Sequence, residues 1–372
     1  MIKQVSNKRF IENFGISLDD RERALDTMDK IESTYNHLDE IGESKVFFNL
    51  PMSTFLKAIS GFTAGKRGLL LERYYARNVA PVRFTQTNEH HKGDLTDGKG
   101  RKHEVKTSRI SDIGVVLFPG VRLGDEVDFF HFAIVHDGYI ESHEVKRKHL
   151  EKLPLGDSRN VRAKQVQFRV GGPTHDAIAA FSTTHVMDDT TTGRRWDSMR
   201  FLDDAGVELD DLDHLVDSLD KVRNKVNQSK DSVYASKDEL LEIHPLVERV
   251  KFGRMVQDWL MDHLERAAAE KAGEGDGLGL DGRHEVKYSA LGSGKVQIHG
   301  IKPSEFDFLH IALHTGDDLE FFKLTKRSAQ SFVRRFGKET NDGIFKVQGS
   351  SDGRAVKFLR RAKAVDINAR VH

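Results

Sequence analysis

The sequence predicts an α/β protein of the mixed-sheet, α+β kind, in which one α/β unit occurs twice and helical flanks surround it. Two observations carry this expectation. The stretch from about residue 66 to 150 resembles the stretch from about 251 to 329, and self-similarity on that scale marks a duplicated structural unit. Within each copy the hydrophobic spacing switches from helical to strand-like in the same order: helix, strand, strand, strand, turn, strand, helix. At 372 residues the chain is long enough for two or three domains with cores of their own.

Along the chain, residues 1–65 predict a helical N-terminal region, with Leu18-Asp-Asp as a helix start and Pro51 as a break. The first unit, residues 66–170, opens with Gly68-Leu-Leu-Leu-Glu72-Arg-Tyr-Tyr, apolar at helical spacing and without proline. A glycine-rich turn holding Gly93-Asp94 follows, then Gly100-Arg101 and the strand-like His103-Glu-Val-Lys106. Asp128-Phe-Phe-His-Phe-Ala-Ile predicts a buried strand, and His136-Asp137-Gly138 a turn into a further strand and a basic helix start. Residues 171–250 predict a connector: a threonine-rich loop around residues 188–193, then an acidic helix with Leu202, Leu209, Leu212, Leu215 and Leu219. The second unit, residues 251–337, repeats the series. Gly253-Arg-Met-Val-Gln257-Asp-Trp-Leu is its helix, Gly275-Asp276 its turn and His284-Glu-Val-Lys287 its strand. Asp307-Phe-Leu-His-Ile-Ala-Leu and Thr315-Gly316-Asp317 complete the match, and residues 338–372 form a basic C-terminal segment.

Composition sets bounds. Hydrophobic residues make up 38% and charged residues 31%, a soluble and polar balance. Nothing approaches the run of about 18 apolar residues that a membrane helix needs, and residues 1–10 are polar with no apolar region after them, so neither a membrane span nor a signal peptide is expected. Zero cysteines exclude disulfides, cysteine-ligated zinc and a cysteine nucleophile, and fit a cytoplasmic protein. Lys plus Arg, 58, equals Asp plus Glu, 58, so the net charge is zero. Nucleic-acid binders often carry a basic surplus, yet only the groove that faces phosphate must be positive.

The chemistry lies in the repeated strand. Glu104 and Lys106 are two apart, so they project from one face while Val105 points into a core. Asp94 lies ten residues before Glu104, room for a short strand and a turn to fold back beside it. Asp276, Glu285 and Lys287 repeat the arrangement one residue shorter; Asp281 is a nearer acid, ranked second because Gly275-Asp276 matches Gly93-Asp94. Hydrolysing a phosphodiester calls for activated water and for neutralised phosphate oxygens, and a hard divalent cation serves both. Mg²⁺ takes oxygen ligands and keeps several waters, so one or two protein carboxylates suffice.

These residues resemble the signature of the PD-(D/E)xK, or restriction-endonuclease-like, nuclease superfamily, over the two repeated segments and none of the flanks. The resemblance implies two such cores in pseudo-two-fold relation. It implies that Asp94 and Glu104, and likewise Asp276 and Glu285, are catalytic and bind metal, while Lys106 and Lys287 assist the attacking water. Glu72 fits the place of a further metal-site acid on the helix, where the second copy has Gln257, as some branches of the family do. The proline that names the motif is missing from both copies. Carried through, the resemblance implies a Mg²⁺-dependent endonuclease, with Mn²⁺ as a substitute, similar to a type II restriction enzyme. It would cut double-stranded DNA at a specific sequence, one core per strand, as a monomer with paired cores or as a homodimer, away from membranes. Residues 171–250 could form a region for DNA recognition, as could the N-terminal region or the basic C-terminal segment. The alternative is a repair-type or structure- or methylation-specific nuclease with one active core, the other serving as a DNA-binding or structural module. The Gly68–Glu72 stretch also resembles the mismatch-repair nicking endonuclease branch.

A third His-Glu-Val-Lys, residues 143–146, aligns with Phe322-Lys-Leu-Thr in the second copy, and Glu144 and Lys146 are expected on the surface where a helix opens. The pair His90-His91 is expected to be exposed. His131 and His310 are expected to be hydrogen-bonded parts of the sheet, and His103 and His284 to face away from the neighbouring glutamates. Trp196, Trp259 and the phenylalanines are expected in the core.

Overall fold

Leu18-Asp-Asp starts a helix as its acidic first turn predicts: α1 spans Leu18–Glu40, and Ala24, Thr27, Ile31, Tyr35 and Leu38 form its buried stripe. Pro51 separates a 3-10 turn, Ser44–Asn49, from α2, Met52–Ala58. The glycine-led repeat of the first copy forms α3, Ala64–Asn78, whose Tyr74 ring stacks on Phe55 at 4.0 Å. This is a computed structural model, and it describes residues 14–78, 85–86, 95–109, 116–122, 126–150, 165–170, 182–189, 199–228, 237–263, 267–268, 277–279, 281–291, 296–316, 318–341, 343–348 and 353–361. The chain divides into two units, Asp19–Ser218 (the N-terminal unit) and Leu219–His372 with Met1–Leu18 (the C-terminal unit), so each holds one copy of the repeat.

In the N-terminal unit the strands are β1 (Thr85–Gln86), β2 (Leu95–Thr96), β3 (Lys102–Arg109), β4 (Val116–Arg122), β5 (Phe129–Val135) and β6 (Ile140–Lys146). A short helix α4, Arg147–Leu150, follows, then β7 (Gln165–Val170) and β8 (Ser182–Met187). The main sheet has the order β1-β2-β3-β5-β6-β8, with β3 and β5 parallel and β4 paired to β7 outside it. The acidic stretch that the leucines mark becomes α5, Arg200–Ala205, and α6, Leu209–Gln228, with Leu202, Leu212, Leu215 and Leu219 buried and Leu209 exposed.

After α7 (Lys237–Ile243), the C-terminal unit repeats the plan. Helix α8, Arg249–His263, leads to β9 (Ala267–Ala268), β10 (Gly277–Gly279), β11 (Gly282–Ala290), β12 (Gln297–Ile301), β13 (Phe308–His314) and β14 (Leu319–Thr325). Its main sheet runs β14-β13-β11-β10-β9, the order of β6-β5-β3-β2-β1 in the other unit, and β11 and β13 are again parallel. Helix α9 (Lys326–Phe336), β15 (Gly337–Asn341), β16 (Ile344–Gln348) and α10 (Arg354–Arg361) complete it. Packing runs on past residue 337, because Val347, Ala355, Val356 and Leu359 share one core with Ile311, Leu324 and Phe332.

An aspartate at the start of the buried strand fixes the register of each sheet. Asp128 N–H donates to the Lys102 carbonyl at 2.8 Å, its Oδ2 accepts from Lys102 N at 2.7 Å, and its carbonyl accepts from Arg147 N at 3.0 Å. Asp307 makes the same three bonds, with Arg283 at 2.9 and 3.0 Å and with Lys326 N at 2.7 Å. One residue thus ties the start of the Glu-x-Lys strand to the start of its parallel neighbour and to the helix that follows.

The run His143-Glu-Val-Lys146 departs from expectation. It lies within β6 and the helix begins only at Arg147. Ladder bonds on both sides extend the strand this far, since Glu144 pairs with His131 and with Thr183. Among the described residues no helix is long and apolar enough to cross a membrane.

Candidate active site and a histidine cluster on the opposite sheet face

Strand alternation sorts the repeated His-Glu-Val-Lys into two faces. In the N-terminal unit Val105 pairs with His131 and Glu104 with Phe130. His103, Val105, Thr107, His131, Ser142 and Glu144 therefore share one face, and Glu104, Lys106, Phe130, Phe132 and Val145 the other. The second face packs against β4, with Val116, Phe118, Val121, Phe130, Phe132 and Val145 in one core. Val105 is fully buried, as alternation predicts.

Glu104 and Lys106 form an ion pair at the half-buried rim of that core, their side chains 13% and 20% exposed. Glu285 and Lys287 do the same in the C-terminal unit, at 12% and 18%. Each glutamate is thus drawn out of bulk water but still reachable, with an ammonium held beside its carboxylate. A carboxylate oxygen is the donor type that hard cations take, while the ammonium, paired to that carboxylate here, is the group that could meet an anion.

Asp94 and Asp276 lie outside the described residues. The hairpins beside them are described, and their registers agree. Leu95, next in sequence after Asp94, pairs with His103, the residue before Glu104; Gly277, next after Asp276, pairs with His284, the residue before Glu285. Asp281, the runner-up acid, is committed elsewhere: Oδ1 is 2.9 Å from His284 Nε2 and Oδ2 accepts from Lys323 Nζ at 2.9 Å.

The repeat's helix lies along this strand in both units. A Cβ on Gly68 would stand 3.9 Å from Thr107 Oγ1, and one on Gly253 would stand 2.9 Å from the ring of Tyr288, the residue after Lys287. One turn further on, Gln257 Nε2 donates to the Val286 carbonyl at 2.6 Å. Glu72, half-buried, occupies the matching place one turn after Gly68 on α3.

The opposite face holds a cluster that the sequence did not reveal as a unit. His103 Nδ1 is 2.9 Å from His131 Nε2, His131 Nδ1 is 2.9 Å from Tyr75 Oη, and Tyr75 Oη is 2.8 Å from Ser142 Oγ. Glu144 Oε2 stands 3.9 Å from His131 Nε2, and Asp97 Oδ2 3.4 Å from His103 Nε2. Burial, aided by the neighbouring imidazoles of His103 and His185, pushes His131 down to about 3. Burial also lowers His103, outweighing the pull of Asp97. For Asp97 itself burial works upward, but hydrogen bonds from the Arg101 guanidinium and from the backbone N–H of Arg101 and Lys99 outweigh it and hold the carboxyl below the usual carboxylate range. The expected hydrogen-bonded sheet histidines are thus present, with His103 and His284 turned away from the glutamates. Sequence reasoning missed Asp97 and Tyr75. A signal existed for Asp97 in its glycine-flanked turn; for Tyr75 only the docking of α3 reveals the contact.

Beside the start of β3 a cavity of about 870 Å³ is lined by Arg101, Lys102, Lys146, Arg147 and Lys148, with Glu126 and Asp128 as its acids. Here the zero net charge of the chain resolves into a local positive excess. No known protein family matches this chain, and no curated protein matches it.

Proposed function

We propose that the chain is a Mg²⁺-dependent endonuclease of the PD-(D/E)xK kind that hydrolyses phosphodiester bonds in double-stranded DNA at a specific sequence, with one restriction-endonuclease-like core in each unit serving one strand. One observation carries the reading: a Glu–Lys pair stands at the same register of the same sheet order, beside a hairpin of the same register, in both units. Duplication alone would preserve strands; it has no reason to keep a Glu–Lys pair that is only partly buried.

In this reading Glu104 with Asp94, and Glu285 with Asp276, hold the cation; Glu72, which the resemblance adds as a third acid, stands on α3, whose described contacts beside Thr107 and His131 lie on the sheet face opposite Glu104. The bound ion supplies charge neutralisation of the phosphate and a lower pKa for the attacking water. Lys106 and Lys287 orient that water and offset charge as the leaving oxygen departs. The basic cavity of Arg101, Lys102, Lys146, Arg147 and Lys148 supplies phosphate contacts that position the duplex without reading its bases. A cytoplasmic location fits the absence of cysteine.

A second reading is favoured by one difference. The helix position held by Glu72 in one unit is held by Gln257 in the other, and Gln257 is bound to a main-chain carbonyl. One core would then cut while the other braces the fold or binds DNA, as in a repair-type or structure-specific nuclease. The test is to incubate purified protein with supercoiled plasmid in Mg²⁺ or Mn²⁺ and, in parallel, in EDTA. Metal-dependent linear product with a fixed end sequence supports the main reading, metal-dependent nicking of branched or mismatched DNA the second, and intact DNA under all conditions would sink both.

A further inference from the structure

The histidine cluster of the N-terminal unit has the donors, spacing and supports of a transition-metal site. One ligand atom from each of His103, His131 and Glu144 lies within 4.8 Å of the others. The separations are 2.9 Å between the two ring nitrogens that face each other and 3.9 Å from His131 Nε2 to Glu144 Oε2. Tetrahedral Zn²⁺ with bonds of about 2.0–2.1 Å places its donors about 3.3 Å apart, a value those two separations bracket. Both histidines are buried, and the Glu144 side chain is 30% exposed, which leaves one side for a water ligand and for entry of the ion.

The supports match what a metal-bound imidazole requires. A ligating histidine usually gives its other ring N–H to a carboxylate or another acceptor, which fixes tautomer and ring orientation. His103 Nε2 faces Asp97, and His131 Nδ1 faces Tyr75 Oη, itself bonded to Ser142.

The repeat adds an independent observation. In the C-terminal unit His284 Nδ1 and His310 Nε2 make the same contact at 2.8 Å, with Asp281 at His284 Nε2. The position paired with the strand histidine differs: His131 pairs with Glu144, His310 with Lys323. Lys323 Nζ lies 2.9 Å from Asp281 Oδ2 and 4.0 Å from the centre of the Phe308 ring. At the strand position where the N-terminal cluster carries a third metal-ligating side chain, the C-terminal cluster carries a lysine bonded to its Asp281.

We propose that His103, His131 and Glu144 bind one Zn²⁺-class ion, completed by water, and that the Lys323 ammonium takes its place in the C-terminal unit. Two imidazoles favour Zn²⁺, Co²⁺ or Ni²⁺ over Mg²⁺. The site lies on the sheet face opposite Glu104, is separate from the cation of the proposed reaction, and does not depend on the nuclease reading. The ion joins β3, β5 and β6 and, through Tyr75, α3.

The test uses the full chain, stripped with EDTA and then titrated with Zn²⁺ by calorimetry and with Co²⁺ by visible absorption. The expected result is one high-affinity Zn²⁺ per chain and the strong d–d bands of four-coordinate Co²⁺. Glu144→Gln, checked for an unchanged circular dichroism spectrum, loses at least about 100-fold in Zn²⁺ affinity, more than the 10–100-fold typical of losing an outer partner. Tyr75→Phe loses about 10-fold, and Glu104→Ala binds Zn²⁺ like the wild type. Unchanged Zn²⁺ affinity in Glu144→Gln, or wild-type protein without four-coordinate Co²⁺ bands, would overturn the proposal and leave a hydrogen-bonded relay from Ser142 to Asp97.

Discussion

Gln257 donates its side-chain amide to the carbonyl of Val286 at 2.6 Å, and Val286 separates Glu285 from Lys287 on the strand. The helix of the C-terminal unit is thus pinned to the strand between the two site residues. Glu72, at the matching helix position of the N-terminal unit, is a carboxylate: it cannot donate that bond, but it can offer charge to a cation. Glu72→Gln should therefore raise the Mg²⁺ concentration needed by the N-terminal site, by about 10-fold for a lost outer or auxiliary metal group. Mg²⁺ titration of nicking in a Glu285→Ala background, which isolates the N-terminal site, measures it. An unchanged midpoint would remove Glu72 from the metal site.

The two helix glycines should respond differently to alanine. At Gly253 the new methyl would stand 2.9 Å from the Tyr288 ring, whereas at Gly68 the nearest atom is 3.9 Å away. Gly253→Ala should destabilise its unit by about 1–2 kcal/mol through overpacking. Gly68→Ala should be neutral or stabilising, by up to about 1 kcal/mol, because alanine is the better helix former. Thermal melts of both variants decide this.

The acid limb of stability should report Asp307. Its carboxylate accepts the Arg283 backbone N–H, and this bond holds it below its ordinary value of 3.8. The folded chain therefore keeps the group ionised at pH values where the unfolded chain has begun to take up a proton. The stabilisation is present above pH 3.8 and is lost as pH falls through the lower, folded value. Asp307→Asn should cost about 1 kcal/mol at neutral pH, a figure at the low end for charged hydrogen bonds because the group is partly exposed. The difference in Tm from wild type should shrink toward zero in strong acid. A constant difference across pH would contradict the linkage.

Much of this was legible in the sequence, for local reasons. Alternation alone places Glu104 with Lys106 and Glu285 with Lys287, and buries Val105 and Val286, since the two-residue period of a strand needs no tertiary information. The repeat carried the order of elements, because Asp128 and Asp307 head matching strands and make matching bonds. What stayed hidden depends on contacts distant in sequence. Glu144 resembled a helix opening because basic residues follow it, and only pairing with β5 and β8 keeps it in a strand. Tyr75 reaches His131 across 56 positions and Ser142 across 67, contacts that no local pattern encodes. The core role of Val347 and Leu359 was likewise masked by the basic residues around them.

Binding to DNA should depend on the basic cavity. Replacing Arg147 and Lys148 together by alanine should weaken affinity for all sequences alike. It should also make the slope of log affinity against log salt less steep, by about 0.9 for each phosphate no longer neutralised. A loss of sequence preference with unchanged salt dependence would mean that these side chains read bases.

The central claim, two cutting sites in one chain, is tested most directly by plasmid cleavage with Glu104→Ala, Glu285→Ala and the double variant in Mg²⁺. Each single variant should convert supercoiled plasmid to nicked circles without linear product, and the double variant should leave it supercoiled. Linear plasmid produced at the wild-type rate by either single variant would contradict the account.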